Sequence, residues 1–277
     1  MSHFREIFYK EQHAKGNSLR TIAYYRDCLD KFFAFVPKTS VAVVRADMID
    51  YLSVLRAAAL SPNSVQTYFR GLRAYFNWLF EQGYISVNPV ADVPAPKPLK
   101  RFLRVLSPAE VQQLLNACNN TIARLCCVLL LDTGMRSAEL LRLRYCDVDV
   151  PGSCLKVLGK GNKERLVPLS AAAKALLSPL GAPLAHVVPL SAAGLKTMFQ
   201  RLKKRSGIDR LHAHLLRHTY ATNWLMSGGD LFTLQVILGH STLDMTRRYS
   251  HVAIQTKIAS GEFYSPLAPI TKQSGSC

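Results

Sequence analysis

The sequence predicts a mainly α-helical protein of the α+β class, divided into two domains. Apolar residues recur at three- and four-residue steps through residues 1–90, which is typical of amphipathic helices. A proline-rich stretch follows, and between Asp147 and Leu169 the apolar period changes to two, as in β-strands. The length of 277 residues suits two domains. We therefore expect a helical N-terminal domain and a mostly helical C-terminal domain with a small antiparallel sheet.

The N-terminal helices follow from the apolar pattern and from their start signals. Residues 18–35 carry a stripe of apolar side chains, and residues 47–60 repeat the pattern. Ser61-Pro62 supplies a cap followed by a proline in the first turn, and the helix that it begins ends at Gly83. We expect a compact four-helix unit over residues 1–90, with its aromatic side chains in the core.

Prolines are concentrated in residues 87–101, where they block both helix and strand pairing. We expect an extended linker at residues 91–105 and a second domain at residues 106–265. That domain opens with a capping box at Ser107–Glu110. Its next helix, about residues 122–131, is apolar on nearly all sides and should be fully buried. Residues 266–277 are expected to form a flexible tail.

Three short strands and further helices complete the second domain. The strands are separated by turns at Pro151-Gly152 and at Gly159–Asn162, which predicts a small antiparallel sheet. Helices should resume at about Ser170 and Ser191 and continue past residue 250. Residues 251–264 have the pattern of a short amphipathic segment.

The charge of the chain narrows the classes of partner. Lys and Arg number 35 against 18 Asp and Glu, a net charge of +17, and residues 101–277 hold 22 of these basic and 10 of these acidic residues. Such a balance indicates a polyanionic partner, nucleic acid first and an anionic membrane surface second.

The location of the protein also has sequence signals. The longest apolar run, Leu125–Leu131, is too short to span a bilayer, and the charged N-terminus MSHFREIFYKEQ is unlike a signal peptide. Seven cysteines without a paired CxxC spacing indicate reduced thiols. We expect a protein of a cytosolic or nuclear compartment.

Two turns place basic residues where helix packing does not require them. In Thr133–Arg136, Gly134 suits a helix end, and Arg136 would open the next helix beside free backbone N–H groups, a good anion site. A surface arginine is the alternative. In GKGNKER, residues 159–165, two glycines flank Lys160 and allow a phosphate to approach. A solvated hairpin tip is the alternative there, and the pattern is not a P-loop.

Two further segments combine histidine, arginine and tyrosine. His214, Arg217 and His218 share one helical face. The two histidines could form a metal pair, but Arg217 lies between them and no carboxylate or cysteine is spaced to complete the site. Farther on, Gly239 would end a helix before His240, and Tyr249 follows two arginines. Taken alone, this tyrosine would be assigned to packing.

Together the four segments supply the groups needed for phosphoryl transfer. Arginine side chains match phosphate oxygens with two parallel hydrogen bonds. Fixed cations can stabilise the extra negative charge of a pentacoordinate phosphorus without a metal. A tyrosine hydroxyl can attack phosphorus and hold it covalently.

In order along the chain, TGMRSAELLRL, GKGNKER, HLLRH, LGH and RRYSHV resemble the motifs of the tyrosine recombinase (phage integrase) family, closest in layout to Xer-type recombinases. The helical residues 1–90 resemble the family's core-binding, SAM-like domain, and the second domain resembles its catalytic domain. The likeness covers about residues 1–265. Ala213 stands where the family often has proline, and Tyr145 where many members have tryptophan; neither position carries a chemical role.

The resemblance implies a role for each motif residue. Arg136 and Arg217 would clamp the scissile phosphate, and His240 would hydrogen-bond one of its oxygens. Tyr249 would be the nucleophile that forms a 3′-phosphotyrosine, and Lys160 would protonate the leaving 5′ oxygen.

The remaining motif residues comprise one further catalytic residue, His214, and two supporting ones. His214 would take part in acid–base work. Glu139, one helical turn beyond Arg136, and His218 would support the site.

The resemblance further implies a site-specific DNA recombinase that works by transesterification, without metal, ATP or another cofactor. Its partners would be double-stranded DNA core sites and further copies of itself, as a tetramer on DNA, possibly with a related recombinase. Its location would be cytoplasmic and nucleoid-associated. The alternatives are a catalytically silent DNA-binding regulator, a type IB topoisomerase-like relaxing enzyme and a metal-dependent nuclease.

Overall fold

The computed structural model describes residues 3–97, 104–159, 163–177 and 182–260, without the side chains of residues 251, 252 and 255–260. The chain divides into two compact units, Met1–Arg101 and Phe102–Cys277. Four predicted features fall wholly or partly outside the described residues: Lys160 with its turn, part of the linker at 91–105, the end of the amphipathic segment at 251–264, and the tail at 266–277. The domain limits drawn from the sequence stay a prediction.

The first unit is helical, as predicted. Its α-helices are α1 (His3–Ala14), α2 (Leu19–Phe35), α3 (Arg45–Ala57) and α4 (Pro62–Glu81), with a 3₁₀ turn at Ser40–Ala42. Ser18 caps α2 and Ser61 caps α4, each by accepting a backbone N–H with its side chain. Packed aromatic side chains fill the core, among them Phe8, Phe32, Phe69, Tyr75 and Phe76.

Helix α3 begins two residues earlier than the apolar pattern indicates. The pattern places its start at Asp47, whereas the helix begins at Arg45. The reason is a cap: the Asp47 carboxylate accepts the backbone N–H of Val44 at 2.9 Å, so Asp47 occupies the third position of the helix. The same carboxylate binds Lys38 at 2.8 Å.

The second unit surrounds one buried helix with further helices and a small sheet. Its α-helices are α5 (Pro108–Asn116), α6 (Thr121–Thr133), α7 (Ser137–Leu140), α8 (Ala171–Leu177), α9 (Ala192–Ser206), α10 (Ala213–Met226), α11 (Leu231–Leu238) and α12 (Leu243–Ser260). Helix α6 is buried along most of its length, as its apolar sequence predicts, and it packs against α10.

The strands β1 (Val148–Asp149), β2 (Cys154–Leu158) and β3 (Glu164–Pro168) form an antiparallel sheet in the order β1-β2-β3. Leu155 pairs with Val167, and both side chains are fully buried. The alternation along β3 places Arg165 on the same face as Val167. The predicted sheet is confirmed.

Arg136 opens the one-turn helix α7 as its N-cap residue, in agreement with the sequence. One segment differs from expectation. The predicted amphipathic segment after Tyr249 is not a separate element over its described part, since α12 runs without a break from Leu243 to Ser260. No helix in the described part of the chain has the length and hydropathy of a membrane span.

Candidate active site

Arg136 is positioned by the sharp end of α6. Gly134 ends that helix in the left-handed region at φ 60°, and a Cβ there would collide with the Tyr220 ring and lie 2.8 Å from Leu238. The Arg136 side chain, 35% exposed, donates from Nη1 to Glu139 Oε1 at 2.9 Å. Its Nη2 donates to the carbonyl of Gly239 at 3.2 Å. The guanidinium is therefore anchored on one side and open to solvent on the other.

Glu139 is the buried anion beneath Arg136, with a side chain only 2% exposed. It also accepts two hydrogen bonds from Arg165, at 3.2 Å and 2.8 Å. Burial alone would raise the pKa of Glu139, but the hydrogen bonds from Arg165 and from the Arg136 N–H outweigh it, and the pKa lies below its usual value. The carboxylate thus stays ionised and holds two arginines.

Arg165 is a site residue that the sequence motifs did not predict. Its side chain is 7% exposed, and its Nε donates to the carbonyl of Ile237 at 2.6 Å. It therefore ties β3 both to Glu139 and to the end of α11. The signal that could have found it is the period of two in β3, which places an arginine on the inward face of the sheet.

Arg217 lies on α10 and is 1% exposed. Its Nη1 donates to the Gly134 carbonyl at 2.7 Å, and its Nη2 donates to the Leu238 carbonyl at 2.8 Å. Its Nε has no hydrogen-bond partner within the described residues. Burial, and then the charge of Arg136, lower the pKa of Arg217 to about 10, so it remains a cation at neutral pH.

His240 follows Gly239, the left-handed residue that ends α11. Its Nε2 lies 2.9 Å from Arg217 Nη2, and its Nδ1 lies 2.8 Å from the hydroxyl of Thr246 on α12. Burial and the charges of Arg217 and Arg136 lower the pKa of His240 to about 4. The imidazole is therefore neutral at pH 7.

Tyr249 lies on α12 and is 2% exposed. Its hydroxyl is 3.0 Å from Nδ1 of His218, and its ring stacks on His240 with centroids 6.1 Å apart. Burial raises the pKa of Tyr249 although the charges of Arg217 and Arg248 oppose the change. Burial is also the main reason that the pKa of His218 falls to about 3, so His218 is neutral.

The fold thus brings most of the predicted site residues together. The ends of α6 and α11 connect five of them through shared contacts: Arg136, Glu139, Arg217, His240 and Tyr249. His218 contacts Tyr249 directly. His214 lies one turn before His218, with ring centroids 4.2 Å apart, on the exposed start of α10. Lys160 lies outside the described residues. No group of three or more His, Cys, Asp or Glu within the described ranges is arranged to hold a metal.

Comparisons with known proteins agree with this architecture. Residues 104–256 match the phage integrase family, and residues 4–85 match the phage integrase N-terminal SAM-like domain. Tyrosine recombinase XerC of Xylella fastidiosa (strain M23) is 31% identical over 276 residues, with 92% of this chain and 94% of that protein covered. Tyrosine recombinase XerD of Listeria innocua is 28% identical over 283 residues, with the same coverage.

Solved structures share the fold. A lambda integrase (75–356) dimer bound to a COC′ core site superposes with a TM-score of 0.75 at 21% identity, covering 90% of this chain and 94% of that one. The XerH recombinase bound to a palindromic difH substrate gives 0.72 at 23% identity, covering 94% and 83%. The resemblance drawn from the five motifs is confirmed. The chain belongs to the phage integrase family and is an Xer-type tyrosine recombinase.

Proposed function

We propose that this chain is a site-specific recombinase that cuts and rejoins DNA strands through a 3′-phosphotyrosine on Tyr249. The observation that carries the proposal is the placement of the Tyr249 ring against His240, which itself contacts the buried Arg217. A nucleophile and fixed cations therefore share one site. Membership of the tyrosine recombinase family supports the same activity.

Arg136 and Arg217 are proposed to hold the scissile phosphate. Each guanidinium is fixed by backbone carbonyls, which keep its position without neutralising its charge. The only carboxylate hydrogen-bonded to either arginine among the described residues is Glu139, which Arg165 already shares. The pair therefore retains positive charge for the phosphate and for the extra negative charge that develops on phosphorus.

The chemical step is a transesterification. Tyr249 Oη forms a bond to phosphorus, the bond from phosphorus to the 5′ oxygen breaks, and the hydroxyl proton passes to a base. His218 Nδ1, 3.0 Å from Oη, is placed to receive it. We assign protonation of the leaving 5′ oxygen to Lys160 and a supporting acid–base role to the exposed His214. The reverse reaction with another 5′ hydroxyl completes the exchange, and since one phosphodiester replaces another, it needs neither ATP nor a cofactor.

Double-stranded DNA core sites are the proposed substrate, bound by a tetramer of this chain or of this chain with a related recombinase. The net charge of +17 suits the phosphate backbone, which supplies a large share of the affinity in protein–DNA complexes. The solved XerH and lambda integrase structures were obtained on DNA. We assign DNA binding to both units, the first as the core-binding domain and the second, with a tail at 266–277, as the catalytic domain. We place the protein at the nucleoid in the cytoplasm.

The rival functions predict different products. A silent regulator would bind DNA without a covalent adduct. A topoisomerase-like enzyme would relax plasmids without strand exchange. A nuclease would need a metal. The occupied catalytic positions and the tyrosine recombinase relatives favour recombination.

Covalent capture tests the proposal without knowledge of the target site. The protein is incubated in EDTA with duplexes that carry a nick near a randomised core, so that the cleaved strand end diffuses away and the adduct persists. We expect a protein–DNA adduct at the 3′-phosphate end that the cut creates, with a consensus sequence among the captured duplexes. The matched control is Tyr249→Phe, which should bind DNA and form no adduct. Capture by the Phe variant, or capture only with added metal, would refute the proposal.

A further inference from the structure

We infer that Thr246 is a positioning residue that pairs with Nδ1 of His240 in either tautomer and so allows the ring proton to change sides when a DNA phosphate enters. Thr246 is fully buried on α12, and its hydroxyl lies 2.8 Å from His240 Nδ1. The change of tautomer on phosphate entry rests on the proposed function. The tautomer of the DNA-free protein does not.

The proton of His240 can be placed by elimination. A guanidinium has only donors, so Arg217 Nη2 donates to His240 Nε2 across their 2.9 Å contact. Nε2 must then present a lone pair, and in a neutral imidazole the proton belongs to Nδ1. Nδ1–H therefore donates to Thr246 Oγ1. The low pKa of His240 agrees with a neutral ring.

This tautomer cannot serve a phosphate. Phosphate oxygens accept hydrogen bonds, and the Nε2 of His240 has no hydrogen to give while Arg217 donates to it. When a phosphate accepts the hydrogen of Arg217 Nη2 that points to His240, Nε2 is released, and a neutral His240 can donate only if its proton is relocated from Nδ1 to Nε2. Water supplies one proton and takes the other, so the ring gains no charge.

Thr246 makes that relocation inexpensive because a hydroxyl both accepts and donates. It accepts from Nδ1–H before the phosphate binds and, after rotating, donates to the bare Nδ1. A backbone carbonyl or a carboxylate would fix the proton on Nδ1, and a methyl group would leave a buried nitrogen unpaired in both states. Thr246 also lies one helical turn before Tyr249 on α12, so the inner partner of His240 and the nucleophile move together.

Nuclear magnetic resonance of ¹⁵N-histidine-labelled protein reads the tautomer directly. In DNA-free wild type we expect His240 to be neutral with a protected proton on Nδ1. Thr246→Ser should keep this signal, and Thr246→Val, of nearly the same shape, should lose the protection. In Tyr249→Phe protein bound to a captured core sequence, the proton should appear on Nε2. A protonated Nε2 in the DNA-free protein, or equal protection in the Val variant, overturns the proposal.

Cleavage kinetics separate a positioning role from a structural one. Thr246→Val should slow adduct formation about tenfold, the loss of roughly one hydrogen bond, and Thr246→Ser should stay within about twofold of wild type. In a His240→Phe background, which keeps an aromatic ring but has no ring nitrogens, Thr246→Val should cause no further loss in the rate of adduct formation. Equal slowing in both backgrounds would show that the threonine acts only through packing and would overturn the proposal. Failure of wild type to form any adduct would refute the proposed function, while the resonance experiment would still decide the DNA-free tautomer.

Discussion

Arg217 joins the three chain segments on which the site depends. Its guanidinium binds the carbonyl that ends α6, the carbonyl that ends α11, and His240. A lysine would keep the charge but could not make these divergent contacts with one ammonium group. The shape of the arginine, and not only its charge, is what orders the site.

We therefore predict that Arg217→Lys binds DNA but loses most cleavage. One preorganised contact to a transition state is worth about 10²–10³ in rate. The measurement is adduct formation under single-turnover conditions, with the exposed Arg142→Lys as the matched control that should cleave normally. Near-wild-type cleavage by Arg217→Lys would mean that positive charge alone suffices.

His218 is expected to matter through proton transfer. His218→Asn keeps a polar partner for the Tyr249 hydroxyl but cannot accept its proton, so cleavage should fall by about 10²-fold with little change in DNA affinity. The low-pH limb of the pH–rate profile should also change in this variant, since that limb reports protonation of the base. An unaltered rate and profile would assign the proton to another group, with His214 the next candidate.

Glu139 gives a prediction about stability and pH. Its pKa in the folded protein lies below the ordinary 4.5, so its ion pairs stabilise the fold above that pH and are lost as the pH falls through the lower, folded value. Glu139→Gln leaves Arg165 buried without its anion, which should cost about 3 kcal/mol at pH 7. Urea unfolding should show that the difference in the free energy of unfolding between wild type and Glu139→Gln narrows below about pH 4.5. A difference that stays constant with pH would contradict the assignment.

At the scale of elements, the sequence predicted what periodicity and caps encode. The buried helix α6, the three strands and the capped starts of α4 and α5 follow from local patterns. The period of two in β3 marks Arg165 as inward-facing, but local patterns give neither its distant partners, Glu139 and Ile237, nor the contact of Thr246 with His240. Long-range partners of polar residues depend on tertiary packing, which no local period records.

The end of α6 provides the element-scale prediction. Gly134→Ala must bear a left-handed backbone, about 1–2 kcal/mol, and also a collision with Tyr220. Gly228→Ala, at the end of α10 with φ 88°, bears the strain alone because no atom of the described residues lies within 4 Å of its added Cβ. Thermal unfolding should therefore show Gly134→Ala to be the less stable variant, with slower cleavage because Arg136 and Arg217 both depend on that turn. Equal effects would mean that the collision relaxes freely.

At the scale of the whole molecule, the dominant feature is the excess of positive charge. The net charge is +17, and most of the excess belongs to residues 101–277. Binding to DNA would release counterions from the phosphates that these side chains neutralise. The affinity should therefore depend on salt more strongly than on any single side chain.

The last prediction is that the logarithm of the DNA affinity falls steeply and linearly with the logarithm of the salt concentration. A protein that makes about 6–10 phosphate contacts loses about 10³–10⁵ in affinity between 50 and 200 mM salt. We expect a loss of this order for the full chain on its captured core sequence and a similar slope on a scrambled duplex, because phosphates and not bases set the slope. Fluorescence anisotropy across that range measures both. Tyr249→Phe should follow the same line as wild type, since its substitution removes the nucleophile and no charge. A nearly flat salt dependence of the affinity would mean that the positive charge is neutralised within the protein or by another partner. The excess of charge in the second unit would then no longer support a DNA-binding surface.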